Sequence, residues 1–269
     1  MNKKISVVIN TYNASRHLVE VLESLTRFDE VVVCDMESTD DTVSIAKAFG
    51  CKVVTFPKGE HKICEPARDF AIHSASNEWV LVVDADEVVP DSLRMYLYET
   101  IADDAFSDAI AIPRKNMFLG KYVADTPDYQ LRFFRQDKTY WPPIIHARPQ
   151  VDGNVLQIPA SRKDLYLIHL DDPDMSSRID KMNRYTDYEV PKRIGKRRYG
   201  IGKLFFRPMW FFIRSYLLGK GYRDGRTGMI KAYMAMMYQI TLMSKLMEAD
   251  IRKQSDHSPK PYDKDADNR

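Results

Sequence analysis

A chain of 269 residues, 44% apolar and 29% charged with a net charge of +2, is long enough for one large α/β domain or for one domain and an appendage; its balance excludes global disorder and gives no bulk charge for nucleic acid. Three cysteines, Cys34, Cys51 and Cys64, form no C-x-x-C pair and leave an odd one over, which argues for free thiols in a reducing cytosol and against a disulfide framework or structural zinc. The N-terminus lacks the apolar core of a signal peptide, and the longest uncharged run, Ala232 to Ser244, is too short to span a membrane, so a soluble or peripheral cytoplasmic protein is expected.

Ile5 to Ile9 reads as a first strand, and Asn10-Thr11-Tyr12-Asn13 after it is turn chemistry at the strand's carboxyl end. Ser15 is an N-cap candidate, and Leu18, Val21, Leu22 and Leu25 keep helical spacing to about Arg27. Val31 to Cys34 is the next strand and ends at Asp35. A polar loop from Met36 to Thr42 leads into a helix with Val43, Ile45, Ala46 and Phe49, stopped at Gly50. Cys51 to Phe56 is a further strand, Pro57 to Pro66 is irregular, and Ala67 to Ala75 is helical.

The most informative stretch is Glu78 to Glu87. Trp79 to Val83 has no polar alternation, the pattern of a strand buried on both faces of a parallel sheet. It ends in Asp84 and Asp86, two carboxylates able to share a Mg²⁺ or Mn²⁺ ion. A helix from Asp91 to Ile101 follows. Alternating strands and helices with short connections predict a doubly wound, mostly parallel α/β sheet, with ligands beyond the carboxyl ends of its strands. No G-x-x-x-x-G-K-[ST] and no G-x-G-x-x-G after the first strand is present, so phosphate would be held by a cation and not by a glycine loop.

Tyr129 to Arg135 reads as a strand in which Arg132 and Arg135 alternate with apolar neighbours on one polar face, by default solvated. Ser176 to Tyr188 is a helix with Ile179, Met182 and Tyr185 on one face. Between Lys192 and Lys231 there are twelve Lys and Arg against one acid, Asp224, interleaved with Phe205, Phe206, Trp210, Phe211, Phe212 and Tyr216. That mixture suits docking on an anionic membrane, and equally a helical subdomain packing its aromatics inward. Pro208 starts a helix over Met209 to Leu218, a glycine-rich connection runs to Gly228, and a methionine-rich helix covers Met229 to Met247. The charged residues after Ile251 read as a disordered tail.

Ser6-Val-Val-Ile-Asn-Thr-Tyr-Asn13, the Asp35-x-x-Ser-Thr-Asp40 loop, Ala67-Arg68-Asp69 and Val83-Asp-Ala-Asp-Glu87 together resemble the ordered motifs of family 2 glycosyltransferases of GT-A fold. Through Phe118 to Lys121, Tyr129 to Arg135 and Trp141 to His146 the resemblance is to the subgroup that adds hexoses to lipopolysaccharide core and similar glycans. It implies a GT-A catalytic domain over 1–200, with a donor-binding half 1–105 and an acceptor half 106–200, then a helical extension over 201–252 and a tail over 253–269.

The resemblance further implies an inverting transfer of a hexose from a nucleoside diphosphate sugar, UDP-glucose foremost, to a lipid-linked or lipopolysaccharide-type acceptor at the inner membrane face. Thr11, Tyr12 and Asn13 would cradle the nucleoside, Asp35 would accept from base or ribose, and Arg68 would meet the diphosphate. Met36 stands where many relatives carry a second Asp. Asp86 would ligate Mg²⁺ or Mn²⁺, Asp84 would lie towards ribose and metal, and Glu87 would orient them or serve the following helix. Asp128 is the expected general base, with Asp125 and Glu65 as alternatives, while His146 and His169 are candidates for a further metal ligand or acceptor contact. Relatives often carry His-Glu where this chain reads His146-Ala147. Arg132 and Arg135 would meet diphosphate or acceptor if not solvated, and Trp141-Pro-Pro143 is an acceptor wall or a packed loop. A sugar nucleotidyltransferase, which would need a glycine-rich loop that Asn10 to Ser15 lacks, and a non-catalytic nucleotide-binding scaffold are the alternatives.

Overall fold

The computed structural model describes residues 3–61, 64–102, 107–122, 128–144, 147–170, 174–195 and 200–256. The chain packs as two compact units, Met1–Asp171 and Asp172–Arg269. This division precedes the expected limit at residue 200, because the helix after Asp174 packs with the later helices.

The first unit begins with β1 (Ile5–Thr11), α1 (Ser15–Leu25), β2 (Glu30–Asp35), α2 (Thr42–Ala48), β3 (Lys52–Thr55), α3 (Glu65–His73) and β4 (Trp79–Asp84). It continues with β5 (Glu87–Val88), α4 (Asp91–Ala102), β6 (Ala109–Phe118), β7 (Lys121–Tyr122), β8 (Asp128–Arg135), β9 (Thr139–Tyr140), β10 (Gln150–Val151), β11 (Val155–Gln157) and β12 (Leu167–His169). The main sheet runs β3-β2-β1-β4-β8-β6-β12-β5. Helical crossovers make β3, β2, β1 and β4 parallel, as the alternation predicts. Beyond β4 the sheet is mixed, since β8 pairs antiparallel with both β4 and β6, and β12 is parallel to β6.

The three central strands run further than their apolar residues. Register pairs Thr11 with Asp35 across β1 and β2, and Asn10 with Asp84 across β1 and β4. Ladder pairing thus carries the polar ends into regular backbone and fixes where their side chains point. β4 is buried on both faces: Trp79, Leu81 and Val83 join one core, Val80 and Val82 the other. Trp79 stacks on Phe133 of β8 with ring centroids 5.1 Å apart, tying the parallel half to the mixed half. α1 buries Leu18, Val21, Leu22 and Leu25, the face expected from their spacing. Cys34, Cys51 and Cys64 are free thiols, and burial with the neighbouring Asp35 carboxylate pushes Cys34 up to about 12.

The second unit holds α5 (Met175–Arg193), α6 (Ile201–Ile213) and α7 (Gly225–Asp256). Asp174 caps α5 by accepting from the Ser177 N–H at 2.7 Å. Pro208 lies inside α6 and does not start it. A proline there removes one helical hydrogen bond, and burial of Pro208 on the side of α6 that packs with α7 offsets the loss. A single π-turn, Arg214–Leu218, and a 3₁₀ turn, Gly221–Asp224, join α6 to α7. The glycines of this joint have a steric reason, since a Cβ on Gly228 would lie 1.9 Å from the Gly221 carbonyl oxygen. α7 extends past the expected end at Met247 to Asp256, with an Arg252–Glu248 ion pair at i,i+4 on its last turns. Residues 257–269 of the expected tail lie outside the described residues.

Leu242, Met243 and Leu246 of α7 form the core of this unit with Val190, Leu204 and Tyr238. The Lys245 ammonium donates to Asn183 Oδ1 at 2.6 Å, Thr186 Oγ1 at 2.9 Å and Asp187 Oδ1 at 2.6 Å, fastening α7 to α5. No helix among the described residues is long and apolar enough to cross a membrane.

Candidate functional site

Polar residues gather at the carboxyl ends of β1, β2 and β4, the crevice that an open α/β sheet offers to ligands. Two loops build one side of it. Asp35 is buried and accepts from Thr11 Oγ1 at 2.9 Å, Ser38 Oγ at 2.5 Å and the Ser38 N–H at 2.8 Å. Asn13, with φ 48°, donates its N–H to Ser38 Oγ at 2.8 Å and accepts from the Thr39 N–H at 2.8 Å. Asp40 joins the helix starts, accepting from Ser15 and Thr42 N–H groups; desolvation raises its carboxyl, but the hydroxyl and N–H donors of Thr42 and Ser15 together override it and bring the group down to about 2. Thr11, Asn13 and Asp35 are therefore brought together as expected, but much of their hydrogen-bonding capacity is directed at one another. Tyr12 projects from this frame, 45% exposed, with the Lys58 ammonium 4.5 Å from its ring centroid.

Met36 is buried in the core, and its N–H donates to the Thr11 carbonyl at 2.9 Å. An acid at this position would point into apolar packing.

The second side is charged. Asp84 Oδ1 accepts from Arg68 Nη2 of α3 at 2.8 Å, and Arg132 Nη2 of β8 grips Oδ2. Burial alone would raise the Asp84 carboxyl, but the Arg132 and Arg68 guanidiniums override it and hold the group well below the usual carboxylate range. Arg132 is 5% exposed, so the solvated alternative does not hold for it. Arg135 points elsewhere, to Glu78 at 2.5 Å at the opposite end of the strand. Trp141 roofs the cluster, its ring centroid 4.8 Å from the Arg68 guanidinium carbon and 5.7 Å from that of Arg132. Arg68 Nη1 is buried without a protein partner, an orphaned donor beside the crevice. Outside Trp141, a pocket of about 410 Å³ is lined by Pro66, Asp69, Phe70, His73, Tyr140 and Pro143.

Glu87 is fully buried beneath this cluster and accepts the Asp84 N–H at 3.0 Å. Burial and then the Asp84 charge push its carboxyl upward, against the pull of Arg132 and Arg114. Arg114 of β6 bridges Glu87 at 3.3 Å and Asp128 at 2.8 Å, and Gln130 holds the other Asp128 oxygen at 2.8 Å. Asp128 is thus oriented at the amino end of β8, with 39% of its side chain exposed. Arg114 and Lys58 escaped sequence reasoning, since neither a motif nor a spacing marks them, and Gln130, although within the Tyr129 to Arg135 stretch, was given no role by it.

Asp86 stands apart from Asp84. Its Oδ2 lies 3.3 Å from His169 Nε2, which the antiparallel β5–β12 pairing sets opposite Glu87. A carboxylate and an imidazole, 40% and 26% exposed, fit a Mg²⁺- or Mn²⁺-type ion as part of a shell completed by ligand oxygens and water. Asp84, expected to share the ion, has an oxygen on each guanidinium instead. No group of three His, Cys, Asp or Glu able to hold a metal occurs among the described residues. Glu65 is the first residue of α3, and Asp125 and His146 lie outside the described residues.

A family model described as "Glycosyl transferase family 2" matches residues 6–151. The lipopolysaccharide core biosynthesis glycosyltransferase LpsC of Rhizobium meliloti is 25% identical over 260 residues, covering 93% of this chain and 94% of that protein. An uncharacterized glycosyltransferase of Rickettsia typhi is 23% identical over 273 residues, covering 94% and 90%. A crystal structure of S. aureus TarS 1-349 in complex with UDP matches with a TM-score of 0.49 and 17% identity over 93% of this chain and 92% of that one.

Proposed function

The chain belongs to glycosyl transferase family 2, and from that premise we propose that it moves a hexose from UDP-glucose to a lipid-linked or lipopolysaccharide-type glycan at the cytoplasmic membrane face, with inversion. The observation that carries this reading is the meeting of Arg68, Asp84, Arg132 and Trp141 beside an Asp86–His169 pair at the strand ends. Similarity to LpsC along nearly the whole chain supports the acceptor class.

In this reading Tyr12 stacks on the base, while Thr11, Asn13 and Asp35 hold the nucleoside floor in place. Arg68 offers its orphaned Nη1 to the diphosphate, and Asp84 keeps both guanidiniums aimed. Asp86 and His169 would hold the Mg²⁺ or Mn²⁺ ion, which when bound neutralises charge on the departing diphosphate. Asp128 takes the proton of the acceptor hydroxyl as that oxygen bonds to C1. The C1–O bond to the diphosphate breaks, and its electron pair leaves with the nucleotide. Arg114 and Gln130 fix the angle of the Asp128 carboxylate.

The test is release of UDP from UDP-glucose with and without Mn²⁺, alongside transfer to lipopolysaccharide core. Asp86→Ala is expected to lower Mn²⁺-dependent turnover by about 100-fold or more. Asp128→Asn is expected to lower transfer by about 100-fold or more while UDP binding persists. Unchanged Mn²⁺-dependent turnover in Asp86→Ala would remove that residue from the metal, and unchanged transfer in Asp128→Asn would remove that residue as base.

A further inference from the structure

The outer face of α6 is unusual for a packed helix. Ile201, Phe205, Phe206, Met209 and Trp210 are 79%, 63%, 70%, 42% and 52% exposed. At about 100° per residue these five fill roughly half the helix circumference, and exposed Lys203 and Arg214 follow along one edge. The opposite side already has its partner, since Leu204 packs on the Leu242–Leu246 core and Pro208 is buried. Residues 200–231 carry seven Lys and Arg against one acid, Asp224.

Charge and apolarity together select the occupant. In a two-fold contact with a second copy, each basic edge would meet an equally basic surface. Nucleic acid would satisfy the cations but leave the phenylalanines and Trp210 without apolar cover. An anionic bilayer satisfies both, and the absence of any described helix able to cross it leaves in-plane contact as the geometry.

We propose that α6 docks on anionic lipid, lying in the plane of the interface. Phe206 and Trp210 enter the boundary between headgroups and acyl chains, and Lys203 and Arg214 meet lipid phosphates. This deepens the membrane-face part of the function proposed above and rests on it for its biological sense, but its test needs no transfer activity.

The full chain is floated with vesicles of phosphatidylcholine alone and of phosphatidylcholine mixed with phosphatidylglycerol. Brominated acyl chains are then used to quench tryptophan fluorescence. Trp79 and Trp141 are only 4% and 5% exposed, so quenching reports Trp210. The expected result is flotation with the anionic vesicles, weakened by salt, with quenching of Trp210. A Phe206→Ser, Trp210→Ser double variant with an unchanged circular dichroism melt should partition about tenfold or more weakly. Flotation on neither vesicle, equal flotation on both, or flotation of the wild-type chain without quenching overturns the proposal. So does a dimer in sedimentation that the double variant dissolves, which would give the face to a second copy. UDP binding of the wild-type chain, measured in parallel, bears on the transfer reading alone.

Discussion

Asp35 and Asp84 end the two strands that flank β1, level with Thr11 and Asn10, yet they are held by opposite means. Asp35 is surrounded by neutral donors, the Thr11 and Ser38 hydroxyls and the Ser38 N–H, all from the two adjoining strand-end segments. Asp84 is held by two guanidiniums, one from α3 and one from β8. Neutral hydrogen bonds shape a loop and leave the carboxylate's charge largely uncompensated, whereas paired arginines cancel it and are themselves aimed by it. The same residue type at the same kind of strand end thus gives a neutral, hydrogen-bonded loop frame on one side and a cationic wall on the other. Asp86, two residues on, meets an imidazole, with His169 Nε2 3.3 Å from its Oδ2.

The contrast can be broken most forcefully at Asp84. Asp84→Asn takes from Arg68 and Arg132, both nine-tenths buried, the carboxylate they share, leaving Arg132 only the more distant Glu87 at 3.9 Å, and a loss of about 3 kcal/mol or more in urea unfolding is expected. Asp35→Ala should cost less, about 1–3 kcal/mol, because neutral donors are stranded there. If the two variants lose equal stability, the distinction between charged and neutral anchoring is void.

The smallest effect is in pH. Asp84, depressed in the fold, contributes stability that is present above about pH 4 and lost as pH falls towards its folded value. Glu87 has the opposite sign. Its carboxyl is raised, so the unfolded chain gives up the proton first, and stability falls as pH rises from about 4 through its folded value. Glu87→Gln should remove that decline, giving a flatter urea midpoint than wild type across this range. An unchanged profile would show that Arg114 and Arg132 already compensate the buried charge.

The same contrast explains what was legible in the sequence. The parallel half and the Asp35 loop could be read because their partners are close in the chain: apolar runs, polar strand ends and Ser38 beside Asp35. Asp84 was visible as a strand-end acid, but its neighbours come from Arg68, sixteen residues before it, and Arg132, forty-eight after it. A strand arginine reads as solvated until the antiparallel β4–β8 pairing is known, and that pairing has no local signal. Likewise α6 hid its start. Local propensity treats Pro208 as a beginning, whereas tertiary burial carries the helix through it.

The carboxylate between Arg68 and Arg132 also bears on how the first unit comes apart. α3 belongs to the early, parallel part of the chain and β8 to the late, antiparallel part, and Asp84 is bonded to both. Glu87 and Arg114 extend the chain of ion pairs to β6 and on to Asp128. Local opening of α3 or of β8 therefore exposes charges that the rest of the network was neutralising. The two halves should open as one cooperative block in hydrogen exchange, with amides of β4 and β8 sharing a single opening free energy.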